Sequence, residues 1–200
     1  MTINHFSTNN NPDRSYQANA AWKTYTDAQN GFSFQYPPEL TPVTDAPDSH
    51  LYYYLEPMGK NNRIYFSFPI SYTSASTTGI LSALMSFDDM QTSTSTCNGF
   101  TNEKFLAPEH DIQSEVTINN LTFNKHEILD SCGAGMCAKH YQYSIVKNDL
   151  CYQADLTFLD GAAPLDTTTP PDVAYAESNK TEAALQAIFQ RMLSTLTFTH

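Results

Sequence analysis

The chain has 200 residues, enough for one domain with a sizeable core, and its charged fraction of 16% is low for a soluble protein. Ten Lys and Arg stand against 21 Asp and Glu, a formal net charge of −11, so a nucleic-acid backbone or an anionic membrane surface would be repelled. No run of 18 apolar residues exists to span a bilayer, and what is left is a polar, weakly charged surface around a core that draws on 12 Tyr and 12 Phe.

Residues 1–20 are rich in Asn, Ser and Thr and bury little, which predicts a flexible tail or linker ahead of a single domain over 21–200. Trp22, Thr24 and Thr26 alternate with Lys23, Tyr25 and Asp27. Asn30-Gly31 is a turn signal, and Phe32, Phe34 and Tyr36 then alternate with Ser33 and Gln35 up to Pro37-Pro38, so a first hairpin is predicted. The four prolines of 37–50 mark a loop. Segments 51–56 and 63–72, dense in Tyr and Phe, predict a second strand pair about Met58-Gly59-Lys60.

The stretch from 73 to 100 is Ser- and Thr-rich around Ile80, Leu81, Leu84 and Met85, whose i, i+1, i+4, i+5 spacing predicts a short helix. Residues 91–96 read as a long loop tied down at Cys97. Segment 112–118 alternates as a strand, Asn119-Asn120 is a turn, and 121–130 is a further strand leading into a Cys132 loop. Residues 141–145 and 150–158 alternate on either side of Asn148-Asp149. A two-residue turn there sets Lys147 opposite Leu150, Ile145 opposite Tyr152, Tyr143 opposite Ala154 and Tyr141 opposite Leu156. His140, Gln142, Cys151, Gln153 and Asp155 then share the other face.

Residues 161–175, with Pro164, Pro170 and Pro171, predict a second long loop. Leu185, Ile188, Phe189, Met192 and Leu193 recur at helical spacing, with Ser178 or Asn179 as the cap, and 195–199 alternates as a closing strand. A stripe of this kind is core packing.

Four cysteines can pair in three ways. Cys132 and Cys137 flank a short glycine-rich loop between strands and could face each other across it. Cys137 lies about ten residues from the Asn148-Asp149 turn, about 30 Å along a strand, so it cannot reach Cys151. The expected pairs are Cys132 with Cys137 and Cys97 with Cys151. Disulfides imply an oxidising compartment outside the cytosol. Residues 1–21 lack the apolar stretch of a signal peptide, which is consistent with a chain whose export signal has been removed.

Three pieces now stand together: Trp22-x-x-Tyr25 leading to Gly31-Phe32-Ser33-Phe34-Gln35-Tyr36-Pro37, the Asn148-Asp149-Leu150-Cys151-Tyr152 hairpin, and Met192-Leu193-Ser194-Thr195-Leu196-Thr197-Phe198 at the end of the last helix. In this order they resemble the PsbP-like domains of bacterial exported proteins and lipoproteins, relatives of the extrinsic PsbP subunit of photosystem II, over about residues 22–199. The resemblance implies an α+β fold, an antiparallel sheet flanked by helices in an α/β sandwich, with a C-terminal amphipathic helix and a short strand. It implies a binding or assembly role without catalysis, and a tail that follows a lipid-modified or cleaved N-terminus. No lipobox cysteine precedes Thr2 here.

Two constellations invite chemistry. His126, Cys132, Cys137 and His140 offer two imidazoles and two thiolates to zinc, but the spacing is wide for such a site and a strand pair turns His126 away from the loop. Glu127, His140 and Asp155, with Gln142, would form a metal or proton-relay set if Cys132 opposes Cys137, because Glu127 then pairs with Gln142. A shift of one residue in that strand would instead group Phe123, Glu127 and Leu129 with the tyrosines. The ordinary explanation of the polar set is the solvated side of an antiparallel sheet. Hydrolase, zinc-protease, nucleotide-loop and EF-hand motifs are absent from the sequence, and seven glycines are few for phosphate loops.

The sequence therefore predicts a non-enzymatic, extracytoplasmic domain without a cofactor, monomeric in isolation, that binds a protein partner or an envelope component. Metal binding through the polar face or the Cys132–Cys137 loop, and a structural place in a larger surface assembly, are the alternatives.

Overall fold

The computed structural model describes residues 21–44, 64–68, 80–90, 97, 111–129, 136–161 and 171–199. The expected tail over 1–20, the strand over 51–56 with its Met58 turn, the loop over 91–96, the body of the loop over 161–175 and the Cys132–Cys137 pairing lie outside the described residues or side chains.

The first hairpin joins β1 (Lys23–Asp27) to β2 (Phe32–Tyr36), with Tyr25 opposite Phe34. Asp27 shapes its turn: its carboxylate accepts from the backbone of Gln29 at 3.0 Å and of Asn30 at 2.9 Å, and its carbonyl from Gly31 at 2.9 Å. Gly31 sits at φ 68°, where a Cβ would crowd the backbone. The Tyr152 hydroxyl donates to the Asn30 carbonyl at 2.9 Å and ties this turn to the core.

The main sheet contains β3 (Pro42–Val43), β4 (Ile64–Ser67), β5 (Ile80–Met90), β6 (Asp111–Ile118), β7 (Leu121–Leu129), β8 (Met136–Lys147) and β9 (Leu150–Gly161). Their order is β3-β4-β5-β9-β8-β7-β6, antiparallel throughout. Two turns carry it: Asn119-Asn120 at φ 48° and 63°, and Asn148-Asp149 at φ 51° and 62°, both in the left-handed region that a two-residue hairpin of matching twist requires. The β8–β9 register is the one the turn predicts, with Ile145 opposite Tyr152, Tyr143 opposite Ala154 and Tyr141 opposite Leu156.

The short helix expected over 80–85 is instead β5, an eleven-residue strand between β4 and β9. Its described side chains, over 83–87, are buried on both faces, with Ala83, Met85 and Phe87 on one and Leu84 and Ser86 on the other. A strand covered on both sides has no need to alternate, so its apolar spacing mimics a helix.

The one described helix, α1 (Pro171–Ser194), begins a full two turns before the cap expected at Ser178 or Asn179. Pro171 closes no loop; it occupies the first helical position, where its missing N–H costs nothing. Ser178 lies inside the helix and is buried. At the other end Thr195 accepts from the Gln35 backbone at 2.8 Å, and β10 (Thr197–Phe198) joins β2 in a second sheet ordered β1-β2-β10.

The small sheet and α1 cover one face of the main sheet. Phe34 stacks on Phe87 with ring centres 4.0 Å apart, Phe189 of α1 reaches Tyr143 at 5.5 Å, and Phe32 meets Tyr152 at 5.8 Å. Leu185, Ile188, Phe189, Met192 and Leu193 all enter this core, as their spacing predicts. Each such side chain contributes about 1.5–3 kcal/mol by burial, and aromatic pairs of this geometry about 0.5–1.5 kcal/mol more. At the rim the Arg191 guanidinium lies 4.0 Å from the Trp22 ring centre. The architecture is α+β: antiparallel sheets and a C-terminal helix followed by a short strand.

Candidate functional site

The polar side chains of the hairpin fall on the face opposite the aromatic core. One line of paired positions crosses five strands: Ser86 on β5, Asp155 on β9, Gln142 on β8, His126 on β7 and Gln113 on β6. Four of these five are buried, Ser86 and Gln142 at 1% exposure and Asp155 and His126 at 3%. The solvated sheet face expected from the alternation is therefore a buried polar layer.

Asp155 is its centre. Its carboxylate accepts from Gln142 Nε2 at 3.1 Å, from Gln153 Nε2 at 3.1 Å to each oxygen, and from Ser86 Oγ at 3.3 Å. One line away, His140 Nδ1 and Thr157 Oγ1 are 3.0 Å apart. Ser144 Oγ donates to the Cys97 carbonyl at 2.7 Å, and the disulfide between Cys97 and Cys151, 54 residues apart in sequence, holds Cys97 against this face. A carboxylate buried away from water is tolerable only where its oxygens accept hydrogen bonds, and these donors supply them. Ser86 touches Asp155, yet both are closed to a substrate.

The structure keeps His140 and Asp155 on one face and removes Glu127 from them. Glu127 stands opposite Tyr141, and His126 takes the place beside Gln142, a shift of one residue from the register that set Glu127 against Gln142. The reason is that β7 inserts Phe123, fully buried, into the aromatic core, and strand alternation then carries Glu127 to the same side. The parity of Val116, Ile118, Leu121 and Phe123, running through the Asn119-Asn120 turn, was the sequence signal for it. His126 and Cys137 belong to separate parts of the sheet, His126 opposite Gln142 and Cys137 opposite Asp160. Among the described residues no group of three or more His, Cys, Asp or Glu is arranged as a metal site.

A second cluster sits on the aromatic face where α1 crosses the sheet. The Tyr141 hydroxyl donates to Glu182, which also accepts from Lys139 Nζ at 2.7 Å and Gln186 Nε2 at 3.2 Å. Lys125 pairs with Glu127 and lies 5.8 Å from the Tyr141 ring centre. Burial pushes the Tyr141 hydroxyl well above its ordinary range, and its bond to Glu182 and the charges of Glu182 and Glu127 push it further. Burial and Asp27 raise Tyr25 likewise. A folded-state pKa above the unfolded value near 10 means that the folded chain keeps a proton the unfolded chain releases. The resulting stabilisation is complete below about pH 10 and is lost as the pH rises beyond it. Tyr141→Phe is expected to cost about 1.5–3 kcal/mol at neutral pH, from the lost bond to a charged acceptor, and to flatten the alkaline fall in stability measured by urea unfolding at pH 8 to 11. An alkaline slope equal to that of the unsubstituted protein would contradict this.

A cavity of about 10 Å³ between Phe32, Phe123, Tyr152 and Leu196 holds no more than one water. Among the described residues, β6, the last strand of the main sheet, is an exposed edge, where Ile112 is 53% exposed and Gln113, Ser114 and Glu115 are open to solvent.

No family model and no curated protein matches the sequence. Among solved structures the chain is similar to a protein from Bacteroides thetaiotaomicron VPI-5482 at 9% identity and a TM-score of 0.48, over 89% of this chain and 48% of that one. The chain thus spans about half of that protein's length. It is also similar to LpqN of Mycobacterium tuberculosis, a protein involved in cell envelope biogenesis, at 7% identity and a TM-score of 0.38, over 90% of this chain and 91% of that one. A third similar structure is cyanobacterial PsbP (CyanoP) from Synechocystis sp. PCC 6803, at 10% identity and a TM-score of 0.36, over 90% of this chain and 93% of that one.

Proposed function

We propose that this chain is a PsbP-like, extracytoplasmic domain that works by holding a protein partner or an envelope component, without a reaction of its own. The observation that carries the reading is the burial of the polar layer: Ser86, Gln142, Gln153 and Asp155, at 1–3% exposure, are hydrogen-bonded among themselves and out of reach of a substrate. Among the described residues, what the surface offers is recognition. The Cys97–Cys151 disulfide supports the compartment, since such bonds persist where thiols are not kept reduced. The PsbP-like assignment rests on the three sequence motifs at the two ends and in the hairpin.

The test is native mass spectrometry of the protein purified gently from its own envelope. A stoichiometric complex with a second component is the expected result. A chain that is recovered free of any stoichiometric companion, or one that turns over a substrate, overturns the reading.

A further inference from the structure

We propose that the partner of this domain adds a cationic strand to the outer edge of β6. The proposal rests on the binding reading above and names the surface and the chemistry of what it binds. β6 ends the seven-strand order, and among the described residues no strand pairs with its outer side. Alternate residues of an edge strand direct their N–H and C=O groups outward, ready to pair. Edges are usually blunted by lysine, proline, a bulge or shortness. Here the strand is eight residues long, Asp111-Ile112-Gln113-Ser114-Glu115-Val116-Thr117-Ile118, paired to β7 without a register shift and free of Lys and Pro.

Charge selects the occupant. Between Lys104 and Lys125 the sequence has no Lys or Arg and three carboxylates, Glu109, Asp111 and Glu115, within a chain of net charge −11. A second copy of the chain is therefore a poor fit. With like faces kept together, pairing two β6 strands about Glu115 sets that glutamate against its own copy, and pairing them about Gln113 sets it against Asp111. Centring on Ser114 sets Glu115 beside Gln113 but leaves the two glutamates on a diagonal, still within reach of each other. An incoming strand with Lys or Arg opposite Glu115 meets none of this. Ile112, Ser114 and Val116 lie on the side of the aromatic core, where Val116 packs, so the residues opposite them are apolar. The recognised segment is an extended one in which basic and apolar residues alternate, bound by main-chain pairing and selected by charge.

The experiment uses the full chain with two ten-residue synthetic peptides, one alternating Val and Lys and the other Val and Glu, read by fluorescence anisotropy and by hydrogen exchange at single-residue resolution. The Lys peptide is expected to bind about tenfold or more tightly than the Glu peptide, and Glu115→Lys, at an exposed position, is expected to reverse the preference. Exchange is expected to slow at alternate amides of β6 and nowhere else, which separates edge pairing from general attraction to an acidic protein. Equal binding of the two peptides, protection away from β6, or a sedimentation-defined dimer already protecting β6 would overturn the proposal. A native partner retained unchanged by Glu115→Lys would overturn it while leaving the binding reading intact, whereas the lack of any native partner would remove that reading first.

Discussion

Replacing both Cys97 and Cys151 with serine is expected to lower the free energy of unfolding by about 4 kcal/mol. The two residues are 54 apart in sequence, so the bond removes a large closed loop's worth of freedom from the unfolded chain. That places it between the roughly 3 kcal/mol of a 15-residue loop and the roughly 4.7 kcal/mol of a 100-residue loop. Typical domains hold only about 5–15 kcal/mol in total, so the double variant is expected to be near the edge of folding at physiological temperature. The consequence is local as well as global. The disulfide is wholly buried, and the Cys97 carbonyl accepts from Ser144 Oγ, so losing the bond also loosens a buried contact of the polar face. Urea titrations of the two proteins decide it, with the midpoint read at constant slope. A loss below about 1 kcal/mol would show that the bond does little to restrict the unfolded chain.

Asp155→Ala is expected to cost about 3–5 kcal/mol, and Asp155→Asn clearly less. Alanine leaves three buried donors, Gln142 Nε2, Gln153 Nε2 and Ser86 Oγ, facing a small void with no acceptor. Each unsatisfied donor carries a penalty of about 1–3 kcal/mol, not simply additive, and the lost volume adds to it. Asparagine keeps the shape and one acceptor oxygen but turns an N–H₂ group toward two glutamine amides. The ordering Ala worse than Asn, measured by urea unfolding of each single variant, is the signature of a buried hydrogen-bonded carboxylate. On a solvated sheet face both substitutions would fall within about 0.5 kcal/mol of the parent, and that outcome would sink the picture of a closed polar layer.

The parts of the fold that were legible in advance are those decided by neighbouring residues. The pair Asn148-Asp149 tolerates positive φ, and a two-residue turn leaves no freedom in how β8 and β9 meet, so the whole register from Lys147 opposite Leu150 onward follows from it. Asn119-Asn120 does the same for β6 and β7. The α1 stripe from Leu185 to Leu193 was equally plain, since a helix with one apolar side must bury it. The start of that helix was not plain, because the turns after Pro171 have no apolar stripe and two adjacent prolines resemble a loop as much as an N-terminus.

Within the candidate site, alternation alone placed His140, Gln142 and Asp155 on one face. It could not place Glu127, because no two-residue turn signal fixes the register between β7 and β8 and a one-residue slip exchanges the faces of the whole strand. Phe123 decided the slip by entering the aromatic core, and so put His126 rather than Glu127 beside Gln142.

Local turn chemistry and strand period thus determined from sequence which residues of each hairpin share a side. Only the tertiary structure decided that β5 is a strand, that the polar side is buried and that β6 has no outer neighbour among the described strands. A backbone's choice between helix and strand at an apolar segment, and the exposure of a sheet face, depend on what packs against it, and those neighbours are distant in the chain: β9 beside β5, and Cys97 bonded to Cys151, 54 residues away.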